Sequence, residues 1–361
     1  GAATIQATMG SVTGSACLRV TNSSAWELEI TTTGANQNMT IGFDTPVNMT
    51  IYWGDCTVQT TISTSITHTY SSAGTYTLRL RGAASRIYFN NADAQSSLTG
   101  ILSVVQGISG LTSFESTFAG CSNLTGSIPA GLFNNNNLVT GFRNTFFGCT
   151  GLTGSIPAGL FNNCPNVTNF EGTFYSCTGL TGSIPSGLFN NNTLVTNFYR
   201  TFRSCSGLTG SIPAGLFDNN PIVRDFDSVF AYCTGLTGSI PAGLFDNCTV
   251  VYWFRSTFEG CSGLTGPIPT GLFTNNVLAN DWIDTFNGCT GLTAIPSGLF
   301  NNLTYTYHFL RTFKNCTGIT SSVPELWVDT VIKYPDILTW SECFSGVINA
   351  SNYSSIPADW K

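Results

Sequence analysis

Cysteine and histidine are where chemistry would first be sought, and they are unequally supplied. There are thirteen cysteines and two histidines, His68 and His308. Cys121, Cys149, Cys177, Cys205, Cys233, Cys261 and Cys289 stand 28 residues apart, and Cys316 and Cys343 follow at 27. A catalytic thiol needs a neighbouring base, and two histidines cannot serve a ninefold column. A tetrahedral metal site needs paired ligands of the Cys-x-x-Cys kind, which one cysteine per period does not give. Parallel Cβ vectors suit disulfides poorly. The column is therefore expected to be buried thiols acting as small hydrophobes. No nucleophile–base–orienter set and no glycine-rich phosphate loop after a strand is visible. The expectation is a chain with no enzymatic activity, no cofactor and no metal.

Four cysteines lie off the column. Cys17 and Cys56 are the natural disulfide pair of the N-terminal part. Cys164 and Cys248 occupy one position in units three periods apart, about 14 Å at strand spacing and too far to bond. Their Asn-rich turns place them near the surface, as halves of intermolecular bonds or as half-buried free thiols.

Hydroxyls form a second array. Thr153 and Ser155, Thr181 and Ser183, Thr209 and Ser211, and Thr237 and Ser239 recur at one register. They read as an uncharged contact surface for a second copy, a surface protein or a glycan, or simply as a solvated strand face. The position six before each cysteine carries Glu115, Arg143, Glu171, Tyr199, Asp227 and Arg255, charges that alternate in sign with Tyr199 the one gap and that are worth a few tenths of a kcal/mol per pair. Two aromatic columns, Phe118 to Trp340 and Phe114 to Phe309, read as core; a nucleic-acid stacking platform would need exposed rings and positive charge. Sequons at Asn22, Asn38, Asn48, Asn123, Asn166, Asn191, Asn247, Asn302, Asn315, Asn349 and Asn352 are candidate glycosylation sites, at about the frequency such a composition gives by chance.

The elements that hold these arrays follow from the spacing. Phe198, Phe202, Cys205 and Leu208 fall on one face of helical turns. Leu208, Gly210 and Ile212 alternate with Thr209 and Ser211 as a short strand that Pro213 ends. One such unit cannot bury both of its apolar sides, so neighbours must stack. The expected architecture is mainly β with short helical turns: a right-handed solenoid of about nine coils. The run Leu-Thr-Gly-Ser-Ile-Pro-Ala-Gly-Leu-Phe resembles the leucine-rich repeat. Thr201 to Thr209, Thr-Phe-x-x-Cys-x-x-Leu-Thr, is similar to the BspA-like repeats of microbial surface proteins. That resemblance spans about 260 residues and implies a non-catalytic surface or protein-interaction role.

Residues 1–97 do not repeat. Strands are expected at Cys17 to Thr21, Trp26 to Thr32, Asn38 to Phe43, Val47 to Trp53 and Thr75 to Arg81. Trp53-Gly54-Asp55-Cys56, His68-Thr69-Tyr70 and Ala73-Gly74-Thr75-Tyr76 resemble the PKD-type immunoglobulin-like domain, which has glycine where Cys56 stands. The resemblance makes His68 structural. The expected organisation is an N-terminal arm at 1–16, either a tail or a strand for a neighbour's sheet, a sandwich at 17–97 and the repeats at 98–361. The last units, around Trp340 and Trp360, diverge as a cap.

Charged residues are only 9% and the net charge is −6, with no basic cluster, which excludes nucleic-acid binding. No apolar run approaches 18 residues, so no membrane insertion is expected. The chain starts at Gly1 without a charged-then-apolar leader and stops at Lys361 without an anchor motif. The expectation is a secreted or cell-surface protein. Its weak surface charge favours a self-assembling subunit of a filament, sheath or coat; the alternative is an adhesin or receptor-binding module on a cell or a virus tail.

Overall fold

A computed structural model describes residues 24–302, 308–327 and 340–361. The arm at 1–16, the strand expected at Cys17 to Thr21, Cys17 itself and Asn22 lie outside the described residues. The protein is mainly β with very few helices.

Two sheets form the N-terminal part. One runs β4 (Val58–Thr61), β3 (Val47–Tyr52), β6 (Gly74–Ala83), β1 (Trp26–Thr32) and β8 (Leu98–Ile101); the other runs β5 (Ser65–Tyr70), β2 (Gln37–Asp44) and β7 (Arg86–Tyr88). In β1, Trp26, Leu28 and Ile30 are buried while Glu27 and Glu29 are half-buried, the two-residue period of a strand with one covered face. β1 meets β6 antiparallel from Trp26↔Leu80 to Thr32↔Gly74. The hydrophobic rows of both sheets join one core. Strands β4, β5 and β7 escaped the sequence analysis: they are short or Thr-rich, and β4 and much of β5 stay exposed.

The sheets merge into the repeats without a break. β8 pairs with β1, and β9 (Ile108–Ser109) adds parallel to β6. The segment after β7, leading into α1 (Ala92–Ser97), takes the place of a unit before the first. Phe89 stacks on Phe118 at 5.8 Å, Phe89 N–H donates to Thr117 O, and Cys121 Sγ–H donates to Phe89 O.

Beyond this junction equivalent residues of successive units touch in parallel. Bridges run Ser113↔Gly141↔Asn169↔Asn197↔Asp225↔Trp253↔Asp281↔His308. The expected helical turns are absent from the described units, although Phe198, Phe202, Cys205 and Leu208 are all buried. Phe198, Arg200, Phe202 and Ser204 N–H instead donate to Asp225, Asp227, Val229 and Ala231 O of the next unit, at 2.7–3.0 Å. The residues between them close three-residue turns, as Thr201 N–H does on Phe198 O at 3.1 Å. Left-handed backbone at Arg200 (φ 56°) and Ser204 (φ 59°) imposes this pattern, since it interrupts a right-handed helix every fourth residue. Apolar spacing alone cannot separate the two forms.

The strand expected at Leu208 to Ile212 is reduced. Gly210 adopts φ 76°, which breaks the pleat, and Thr209 N–H donates to Gly182 O. Among the described residues only β10 (Gly266–Pro267) and β11 (Leu292–Ala294) form strands at this register. Gly207 shows how closely backbones approach: a Cβ there would lie 2.5 Å from both Thr178 O and Leu180 O.

The final unit is shifted. Phe344, not Trp340, stacks on Phe313, at 5.5 Å and 7°. Phe313 N–H donates to Cys343 O, the role Thr312 plays one unit earlier for Phe286. Cys343 therefore fills the Thr slot, and Val347 follows Phe344 as Cys316 follows Phe313. The cysteine column ends at Cys316. Trp360 packs on this unit: its carbonyl accepts Phe344 N–H at 2.8 Å and its ring lies 5.9 Å from Trp340.

Candidate interaction surfaces

Four ladders fix what each unit can show outside. Three are aromatic: those through Phe114 and Phe118, and a third through Phe133, Phe161, Phe189, Phe217, Phe245, Phe273 and Phe300, whose successive rings stack at 6.0–6.2 Å. The fourth is sulfur. Cys149, Cys177, Cys205 and Cys233 donate to Phe118, Phe146, Phe174 and Phe202 O at 2.9–3.0 Å. Burial pushes the Cys121 and Cys233 thiols up to about 12, so they stay protonated and inert. Among the described residues no group of His, Cys, Asp or Glu is placed to hold a metal ion.

Cys164 and Cys248 are not near the surface; both are fully buried free thiols. They stand in a column with Asn136, Asn192, Asn220 and Asn276. Asn192 Nδ2 donates to Cys164 O at 2.8 Å, and Cys164 Sγ approaches Asn136 O at 3.5 Å. The slot asks for one donor to the preceding unit. The Oδ1 atoms of all four asparagines find no protein donor, so cysteine fits the slot without burying an unsatisfied oxygen. A second polar column was also missed: Thr145, Thr173, Thr201 and Thr285 are buried, each Oγ1 shared between two carbonyls, as Thr201 is with Phe170 and Phe198 at 3.0 and 2.8 Å. The common 28-residue offset was the signal available for both.

Cys56 is disulfide-bonded; its expected partner Cys17 lies outside the described residues. Cys56 sits at φ 75°, the left-handed region that glycine would occupy most readily. His68 is structural in its geometry. Its ring stacks on Trp53 at 4.7 Å and its Nε2 meets Asp55 Oδ2 at 2.7 Å. Tyr70 Oη–H donates to Trp53 O at 2.8 Å.

Two surfaces of the stack differ in kind. Thr153, Ser155, Thr181, Ser183, Thr209, Ser211, Thr237 and Ser239 are all exposed and carry no charge. The exposed side of the Phe-to-Cys segment carries aromatics and ion pairs. Arg143 reaches Glu115 at 3.0 Å and Glu171 at 3.1 Å, bridging three units. Arg200 lies 4.4 Å over the Tyr199 ring, and Arg203 4.9 Å over that of Tyr232. Phe147 lies 5.0 Å from Tyr175, and Tyr252 5.8 Å from Trp253. Trp253 remains 40% exposed.

The sequon asparagines divide by use. Nδ2 of Asn123, Asn166, Asn191, Asn247, Asn349 and Asn352 donates to a carbonyl of the preceding unit or segment, at 2.8–3.1 Å. Glycan attachment would remove one of that nitrogen's two hydrogens. Asn38, Asn48, Asn302 and Asn315 are exposed with no Nδ2 bond of this kind. No helix among the described residues is long and apolar enough to cross a membrane. No family model matches the chain, and no curated protein matches it.

Proposed function

We propose that the chain is a non-catalytic contact module working outside the cell: a right-handed, leucine-rich-repeat-like solenoid of BspA-like character, headed by a PKD-type sandwich. One observation carries the contact role. Tyr, Trp and Arg are gathered on the exposed side of one segment while the core beneath repeats with few changes, such as Val229 in the Thr column and Trp282 in a Phe column. These are the residue types that dominate binding energy at protein interfaces, because they offer large rigid area together with a polar tip. Core positions are constrained by stacking; exposed ones are free, and here they depart from repetition at one surface. The partner is a surface protein or a surface glycan.

Self-assembly into a filament or coat is the second reading, supported by the uniform hydroxyl surface. It loses one support, since Cys164 and Cys248 are buried and cannot crosslink copies without unfolding. Light scattering and electron microscopy at high concentration, in about 0.15 M and about 1 M salt, separate the two. A monodisperse particle in both supports the contact module. Ordered polymers that persist at high salt would overturn it in favour of assembly.

A further inference from the structure

We infer that the open pocket lined by Tyr199, Asp225, Asp227, Trp253 and Arg255 receives a basic side chain, a guanidinium or an ammonium, presented by a partner protein. This rests on the contact-module reading and gives it a ligand chemistry. The pocket has a cavity volume of about 270 Å³ and spans three successive units.

Its composition departs from the repeat at one column. Asn169, Asn197 and Asp225 turn their side-chain oxygens onto the N–H two residues on, at 2.7–2.8 Å. Trp253 follows in that column and has no oxygen for this bond, so its ring is left for the pocket and the solvent. Tyr199, whose ring already carries the Arg200 guanidinium at 4.4 Å, forms the other aromatic wall, so the Trp253 ring is the aromatic area open to a cation.

The charge balance decides the sign of the ligand. Asp225 Oδ1 accepts the Asp227 N–H, and Asp227 Oδ1 accepts the Arg255 N–H at 2.7 Å. Among the described residues neither carboxylate makes an ion pair. Arg255, the guanidinium lining the pocket, is committed to the buried Asp281, with Nε 2.6 Å from Oδ2. Once ionised, Asp225, Asp227 and Asp281 face Arg255 as the one cation acting on them, with Glu171 adding negative potential nearby. Burial pushes Asp225 up to about 6, and burial with repulsion from Asp225 pushes Asp227 up to about 8. A guanidinium or ammonium would offset that repulsion, favour the ionised form of both carboxyls and hold them by charge-assisted hydrogen bonds. Among the described residues no group of His, Cys, Asp or Glu is placed to hold a metal ion, and the pocket has aromatic walls; both favour an organic cation over an inorganic one. The surrounding Tyr and Arg residues are those of a protein interface, which is why the cation is assigned to a protein side chain.

The test uses the full chain and the indole N–H signals of its tryptophans, with Trp253 assigned through Trp253→Phe. The probes are Nα-acetyl-arginine methylamide, its lysine counterpart and the neutral citrulline analogue. The expected result is a saturable shift of the Trp253 signal with the two cations and none with citrulline. Asp225→Asn and Asp227→Asn, each checked for an unchanged fold by circular dichroism, should weaken it at least fivefold; Thr209→Ala should leave it unchanged. No saturable shift, an equal shift with citrulline, a shift produced by a neutral monosaccharide instead, or full affinity in both folded Asn variants would overturn the proposal. Binding of the whole protein to immobilised matrix proteins, measured in parallel, tests the contact role separately. If it persists while the probes fail, the pocket assignment alone is lost.

Discussion

The hydroxyl surface and the aromatic, charged surface hang on the same stack, yet one repeats and the other does not. Thr181 and Ser183 are reproduced as Thr209 and Ser211 and again as Thr237 and Ser239. Across the same units, Tyr199 gives way to Asp227 and then Arg255, and Asn197 to Asp225 and Trp253. The difference teaches what stacking constrains. Positions whose side chains or amides bond the next unit must recur, whereas exposed positions can diverge without loss of register. The hydroxyl side chains are exposed as well, but they sit on a tied backbone: the Thr N–H of each of these units donates to a glycine carbonyl of the preceding one, as Thr209 does to Gly182 O.

The comparison breaks most completely if that shared register is lost. Gly207→Ala places a Cβ about where two carbonyls of the preceding unit stand, and should cost about 3 kcal/mol or more, measured by urea unfolding. Retained stability would mean that the units do not need this close approach, and that repetition on the hydroxyl surface has another cause.

A smaller effect should come from the charged surface alone. Asp225 and Asp227 hold protons in the folded state that the unfolded chain, at about 3.8, releases. The folded state therefore binds more protons between about pH 4 and pH 8, and this contribution to stability falls as pH rises through that window. Asp227→Asn should raise the melting temperature at pH 8.5 and flatten its decline from pH 5, as read by calorimetry. The Thr209→Ala profile should follow the parent protein.

The smallest effect is expected inside. Asn192→Cys should change stability by no more than about 0.5 kcal/mol, because Cys164 and Cys248 already fill the same slot. Asn192→Leu removes the donor to Phe161 and Cys164 O and should cost about 1–3 kcal/mol. Equal costs for the two would mean that the slot is filled by shape rather than by hydrogen bonding.

The period, the unit boundaries and two of the aromatic columns were legible in the sequence, because a residue that must stack on its own counterpart recurs at a fixed offset. Four things were misread, each for a physical reason. Helical spacing at Phe198, Phe202 and Cys205 is reproduced by turns with left-handed residues at Arg200 and Ser204. Glycine at 210 looked like a strand position but sits at positive φ. Cys164 and Cys248 looked superficial because Asn-rich flanks suggest turns; their offset from Asn136 and Asn192 pointed inward. Cys343 lies close to the expected interval while the backbone register has moved to Phe344 and Val347. The Tyr199–Trp253 pocket was half visible: Tyr199, Asp227 and Arg255 stood out as one alternating column. Asp225 and Trp253 belong to a neighbouring column, and only the stacking of units brings the two together.

The contact claim is tested most directly by a binding comparison between surface variants. Labelled parent protein, a variant with Phe147, Tyr232 and Trp253 changed to Ser, and a variant with Thr181, Ser183, Thr209 and Ser211 changed to Ala would be applied to one panel of immobilised matrix proteins and surface glycans. All three should first show the same circular dichroism and melting behaviour. The account predicts that the hydroxyl variant binds as the parent does, while the aromatic variant loses at least tenfold in affinity. Loss of binding in the hydroxyl variant, with the aromatic variant unaffected, would contradict it.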